Sequence, residues 1–109
     1  MPRYLIQFCY TQRSMKALVE RPHDRTDAAR KSIEGFGGRL LFYAYCFGEW
    51  DGLAVVEFPD NESAFASLLA INAAGALTKT QTTALLSTEE AIRSMKKAGE
   101  TKTGYTPPS

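Results

Sequence analysis

A few side chains have the type and setting to do chemistry. Glu57 is a carboxylate inside the apolar run LAVVEF, Leu53–Phe58. A charge within a strand needs a partner or a wet cavity. Lys79, Gln81 or Gln7 are placed to supply a partner, and a glutamate near a strand end can also reach solvent. Facing a small cavity, Glu57 would be the acid–base group of the chain. Glu49, Trp50 and Asp51 sit together in FGEWDGL, between Gly48 and Gly52. The indole would either cover the sheet end or a partner subunit as an anchor, or line a pocket mouth and stack on a ligand beside the two carboxylates. Asp51-Gly52 is also a turn-forming pair. Tyr43 and Tyr45 alternate along RLLFYAYCF and would bring two phenols to one face.

The other reactive types point to plainer roles. His23 is the only histidine, and it follows Pro22 beside Asp24 and Arg25. That setting suits capping or surface duty and excludes a histidine-rich metal site. Arg25 could bind an anion, or pair with Asp24 or Asp27 at the surface. Cys9 and Cys46 lie in apolar runs without CxxC spacing, as buried reduced thiols do. No phosphate loop, dinucleotide fingerprint, paired metal cysteines or nucleophile elbow occurs. No metal and no cofactor are expected.

The chain of 109 residues is sized for one domain. Thirteen basic against twelve acidic residues leave a net charge of +1, which argues against a nucleic-acid partner. No apolar run approaches a membrane span. The start, MPRYLIQFCY, lacks a signal-peptide cleavage site, so the expected location is cytoplasmic.

The elements that must position these groups follow from periodicity and punctuation. Residues 3–10, 39–47, 53–58 and 77–86 read as strands. Met15, Leu18 and Val19, then Ala29, Ile33 and Phe36, mark two helical pieces with a kink at Pro22. Pro22 would sit near the first turn of the second piece, with Asp24 and Asp27 at its positive end. Pro59-Asp60-Asn61-Glu62 opens a helix whose buried stripe reads as Phe65, Leu68 and Leu69, closed by Gly75. Ser87-Thr88-Glu89-Glu90 is a capping box for a last helix, with Glu89 spaced to pair with Arg93. Residues 1–99 would form the domain and residues 100–109 a polar tail.

The order β-α-β-β-α-β-α predicts an α+β, ferredoxin-like split βαβ fold. Its four-stranded antiparallel sheet carries the helices on one face. The strands are apolar on both faces. Leu40, Phe42, Ala44 and Cys46 alternate with Leu41, Tyr43, Tyr45 and Phe47, and Leu53 and Val55 with Ala54, Val56 and Phe58. With an even hairpin loop, Tyr43, Tyr45 and Phe47 share a side with Ala54, Val56 and Phe58, read as the face away from the helices. Monomers rarely expose such a patch. Burying each large side chain is worth roughly 1.5–3 kcal/mol. A homodimer or higher oligomer, sheet against sheet, is therefore expected.

The segments MPRYLIQFCYT, RPHDR, GGRL, GEWD, PDNESA and KTQTTALLSTEEA, in this order across residues 1–98, resemble the GYD-domain family. The resemblance implies a ferredoxin-like, dimeric α+β barrel and no particular reaction. Trp50 stands where the family's signature has tyrosine. An indole N–H donates but cannot accept, so no role of a tyrosine hydroxyl carries over to it. Two functions remain open. One is an oligomeric barrel that binds a small, partly apolar molecule or serves as an assembly module. The other is a cofactor-free enzyme acting by proton transfer on an aromatic or polyketide-like substrate, with Glu57 as base.

Overall fold

Aromatic and branched side chains fit extended backbone, where they fan out to both faces; RYLIQFCY accordingly forms β1, Arg3–Tyr10. Then follow α1 Gln12–Glu20, α2 Thr26–Glu34, β2 Arg39–Tyr45, β3 Gly52–Glu57, α3 Asn61–Ala73, β4 Leu77–Leu85 and α4 Thr88–Glu100. This computed structural model describes residues 1–109. The sheet order is β2-β3-β1-β4, with every neighbouring pair antiparallel. The α+β, ferredoxin-like split βαβ fold read from the sequence is the observed one. Tyr4, Ile6, Ala54 and Val56 of the sheet pack with Ile33 of α2 and Ala64 of α3, so these helices cover one sheet face.

Side-chain caps set the helix starts. The Thr11 hydroxyl accepts from Ser14 N at 3.0 Å, and Asp60 accepts from Ser63 N at 2.8 Å. At α4, Ser87 Oγ accepts from Glu90 N at 3.0 Å while Glu90 accepts from Ser87 N at 3.1 Å, the expected capping box. Pro22 does not kink one helix. It lies in the break between α1 and α2, and the second helix starts only at Thr26. The local reason is Asp24, whose carboxylate accepts from the Thr26 amide at 2.8 Å and from its hydroxyl at 2.6 Å. The expected Glu89–Arg93 pair is absent; the intrahelical ion pairs are Lys16–Glu20 and Asp27–Arg30. An exposed pair on a helix is worth only about 0.3–0.5 kcal/mol, so i,i+4 spacing alone does not close it.

Three further expectations are corrected by the packing. First, Leu40 pairs with Val56, whereas Phe42 pairs with Val55, so Leu41 is the extra residue of a β-bulge. The bulge reverses the alternation, and Leu40 and Tyr43 both face the core. Second, the side shared by Tyr43, Ala54, Val56 and Phe58 lies beneath the chain's own helices and not on the outer face, while Tyr43 still pairs with Ala54 as the even loop requires. Phe47, beyond the strand, is fully exposed and shares nothing with them. Third, α3 buries Ala64 and Ser67, with Leu68 against the core, while Phe65 and Leu69 are exposed. The helix is apolar all round, so periodicity does not select a face. The small residues Ala64 and Ser67 do, because they let the helix approach the sheet closely.

Candidate functional site

The inner ends of β1 and β2 bring phenols together. Tyr10 closes the inward row Tyr4, Ile6, Phe8, and Tyr43 of β2 faces inward beside it. The Tyr10 hydroxyl lies 3.5 Å from that of Tyr43 and 3.4 Å from that of Tyr45. Phe8 stacks on Tyr43 with centroids 6.0 Å apart and meets Tyr10 edge-on at 5.4 Å. Gly52 makes room for this cluster. It is a strand residue opposite Phe8 and Tyr45, and a Cβ there would come within 2.5 Å of the Phe8 ring. The glycine therefore answers a close approach within the sheet and not the turn read from Asp51-Gly52.

Beside the phenols, a cavity of about 290 Å³ opens between the sheet and helices α2 and α3. Ile6, Ile33 and Ala54 form its floor and are buried. Ala28 and Ala29 of α2, Ala70 of α3 and Ala74 just after it line its helical wall. Their short side chains leave the groove unfilled. Its polar lining consists of the Tyr10 and Tyr43 hydroxyls, Ser32 and Arg25. Burial holds the Tyr43 phenol far above its ordinary value, and the hydrogen bond and charge interaction with Tyr10 act the same way. Burial also raises Tyr10, against the pull of its bond to Tyr43 and the positive charge of Arg25. Both phenols are thus neutral hydroxyls at physiological pH.

Arg25 is exposed and forms no ion pair. The neighbouring carboxylates are engaged elsewhere: Asp24 caps Thr26, and Asp27 holds Arg30 at 2.6 Å. The expected pairing of Arg25 with either aspartate does not form.

The sequence candidates divide among three places. Tyr43 and Tyr45 join the phenol cluster, with Tyr43 lining the cavity. Glu49, Trp50 and Asp51 form a separate group on the β2–β3 loop. The half-buried Trp50 carries Lys79 Nζ 4.6 Å from its ring centroid, and the same ammonium lies 3.9 Å from Glu49. Asp51 accepts from Tyr10 N at 2.9 Å. The thiols of Cys9 and Cys46 donate to the carbonyls of Glu49 and Trp50, each at 3.2 Å. The cysteines are thus not both buried: Cys9 is partly accessible and Cys46 exposed. These contacts fasten the loop across the sheet end.

Glu57 is at the opposite end of β3 and outside the cavity. Its side chain meets Arg39 at 2.9 Å and Arg3 at 3.4 Å. The expected partners Lys79, Gln81 and Gln7 are replaced by two arginines, because the register sets Arg3 and Arg39 directly across from Glu57 on both flanking strands. Tyr10 was not singled out from the sequence as a site residue. Its place at the open end of an inward aromatic row was the available signal.

Comparison with solved structures supports the fold. MtbAldR superposes with a TM-score of 0.62 at 13% identity, over 97% of this chain and 59% of the MtbAldR chain. This chain therefore spans well under two thirds of that protein. FFRP-DM1 superposes with a TM-score of 0.51 at 14% identity, over 79% of this chain and 100% of the other. No curated protein matches by sequence. No helix is long and apolar enough to cross a membrane. The family model of the GYD domain matches residues 4–95, which include the phenol cluster, the Trp50 loop and Glu57. The chain belongs to the GYD domain family.

Proposed function

We propose that this chain is a self-associating α+β module that binds a small, partly apolar molecule between its sheet and helices α2 and α3. The carrying observation is the cavity of about 290 Å³, apolar apart from phenols, one serine and one arginine. Its size is at the lower end of small-molecule sites. The lining includes no carboxylate or imidazole, and Glu57 is bound by two arginines elsewhere. Proton abstraction by Glu57 therefore draws no support from the geometry. Two free cysteines suit a reducing, cytoplasmic setting.

Self-association rests on what the single chain leaves uncovered. The face away from α2 and α3 presents Leu5, Leu53 and Val55, with Phe42 exposed beside them. Helix α4 buries no residue and leaves Ile92 and Met95 open. The radius of gyration, 17.7 Å, exceeds the roughly 13 Å of a compact chain this size. A second copy on the outer face would cover these groups.

The pocket is tested by NMR titration of the full chain with octanol. Amide shifts centred on Ile6, Ala29 and Ala54 are expected. Ala29→Phe should fill the cavity and abolish them without lowering the melting temperature. Shifts elsewhere, or none, would overturn the pocket reading.

A further inference from the structure

We infer that the cavity takes a small apolar molecule carrying one anionic oxygen group, such as a carboxylate, with Arg25 and the phenols of Tyr10 and Tyr43 as its head-group site. This rests on the pocket reading above and specifies what the pocket selects.

The phenol cluster is under-bonded. Its two mutual contacts, at 3.4 and 3.5 Å, are well beyond the 2.7–2.8 Å usual for O–H···O bonds. Two such bonds occupy two of the three O–H donors, so one donor remains even before the stretched contacts yield. An acceptor oxygen between the rings would recruit these donors at close range. Neutral phenols suit that task, since they donate and do not repel an anion. Tyr43 and Tyr10 are held neutral by burial.

The sign of the head group follows from Arg25. It is the only charged residue lining the cavity, and its positive charge acts on the Tyr10 phenol. Asp24 and Asp27, the nearest carboxylates in sequence, are occupied by Thr26 and Arg30. A ligand anion would meet an unpaired guanidinium at the rim and hydroxyl donors at the wall, while its apolar body lay against Ile6, Ile33 and Ala54. Charge-assisted bonds of this kind are about twice as strong as neutral ones. A ligand cation would face the guanidinium with no carboxylate to receive it.

The test compares octanoate with octanol, which share a chain and differ in the head group. Both are titrated into the full-length protein and followed by amide NMR. Octanoate is expected to bind at least about tenfold more tightly than octanol, with shifts reaching Tyr10, Arg25 and Tyr43. Arg25→Gln should lower octanoate affinity to about that of octanol and so erase the preference. The residue is exposed and makes no ion pair, so the variant should melt like the parent. Equal binding of the two probes, or a preference that survives Arg25→Gln, would overturn the anion inference while the pocket stands. Octanoate shifts confined to residues outside the cavity would also overturn it. If neither probe moves the pocket amides, the pocket reading falls, and this inference with it.

Discussion

At the scale of residues, the glycines and tyrosines around Phe8 form one steric and electrostatic unit. Gly52 lets β3 pass under the Phe8 ring, and that ring with the Ala44 carbonyl leaves a new Cβ no room. Gly52→Ala should destabilise the fold by about 1–3 kcal/mol in chemical denaturation, as overpacking does. Tyr43 makes a pH prediction. Its folded phenol lies above the unfolded value of 10.0 because burial penalises the phenolate. Its contribution to stability is complete below pH about 10 and shrinks as pH rises beyond, since the unfolded chain then loses the proton first. Denaturation midpoints should fall more steeply above pH about 10 in the parent than in Tyr43→Phe. Trp50 is half-buried and held by Lys79, not set in the core. Trp50→Ala should therefore cost less than the roughly 3–5 kcal/mol of a core aromatic. A loss in that range on thermal melting would place the ring in an interface.

At the scale of elements, α4, like α1, has no buried residue, so local interactions carry its stability. The capping box therefore matters more here than at a packed helix. The backbone amide and side chain of Ser87 hold the Glu90 carboxyl below its ordinary value. A depressed folded value means that this stabilisation is present above the unfolded pKa and is lost as pH falls through the folded one. Protection of the first-turn amides of α4, measured against their intrinsic exchange rates, should fall as the solution is acidified below pH about 4. Ser87→Ala should produce the same fraying at neutral pH. If exchange in that turn is indifferent to both, the helix is held by a neighbouring chain and not by its cap.

For the whole molecule, the sheet separates two kinds of surface. The covered face holds the cavity, and the outer face holds Leu5, Phe42, Leu53 and Val55 without a covering element. The proposed self-association assigns that outer face to a second copy. Light scattering of the parent should then give at least twice the monomer mass at micromolar concentration. Phe42→Glu, a change at an exposed side chain, should shift the mass toward the monomer while leaving octanol binding in the cavity intact. A parent that scatters as a monomer at all concentrations would remove the proposal.

What the sequence determined by itself was whatever local physics decides. Alternation set β1, Ser87 and Glu90 set the start of α4, and Gly75, at φ of 78°, closed α3. The element order then left the split βαβ arrangement as the economical fold. Helix α3 shows the limit of that reading, because an apolar residue on every side tells nothing about which side faces the sheet. Tyr43 shows the limit more sharply. The two-residue period put it rightly on one side with Ala54 and Val56, but alternation does not say which of two apolar faces the helices cover, and that side is the covered one; the bulge at Leu41 only brings Leu40 onto it as well. Glu57 marked itself as a charge in need of a partner, but Arg3 and Arg39 are 54 and 18 residues away in the chain. Only strand pairing brings them opposite. The cavity is likewise tertiary: its alanines, phenols and Arg25 come from different elements, and the space exists because short side chains on two helices face a sheet that cannot fill it.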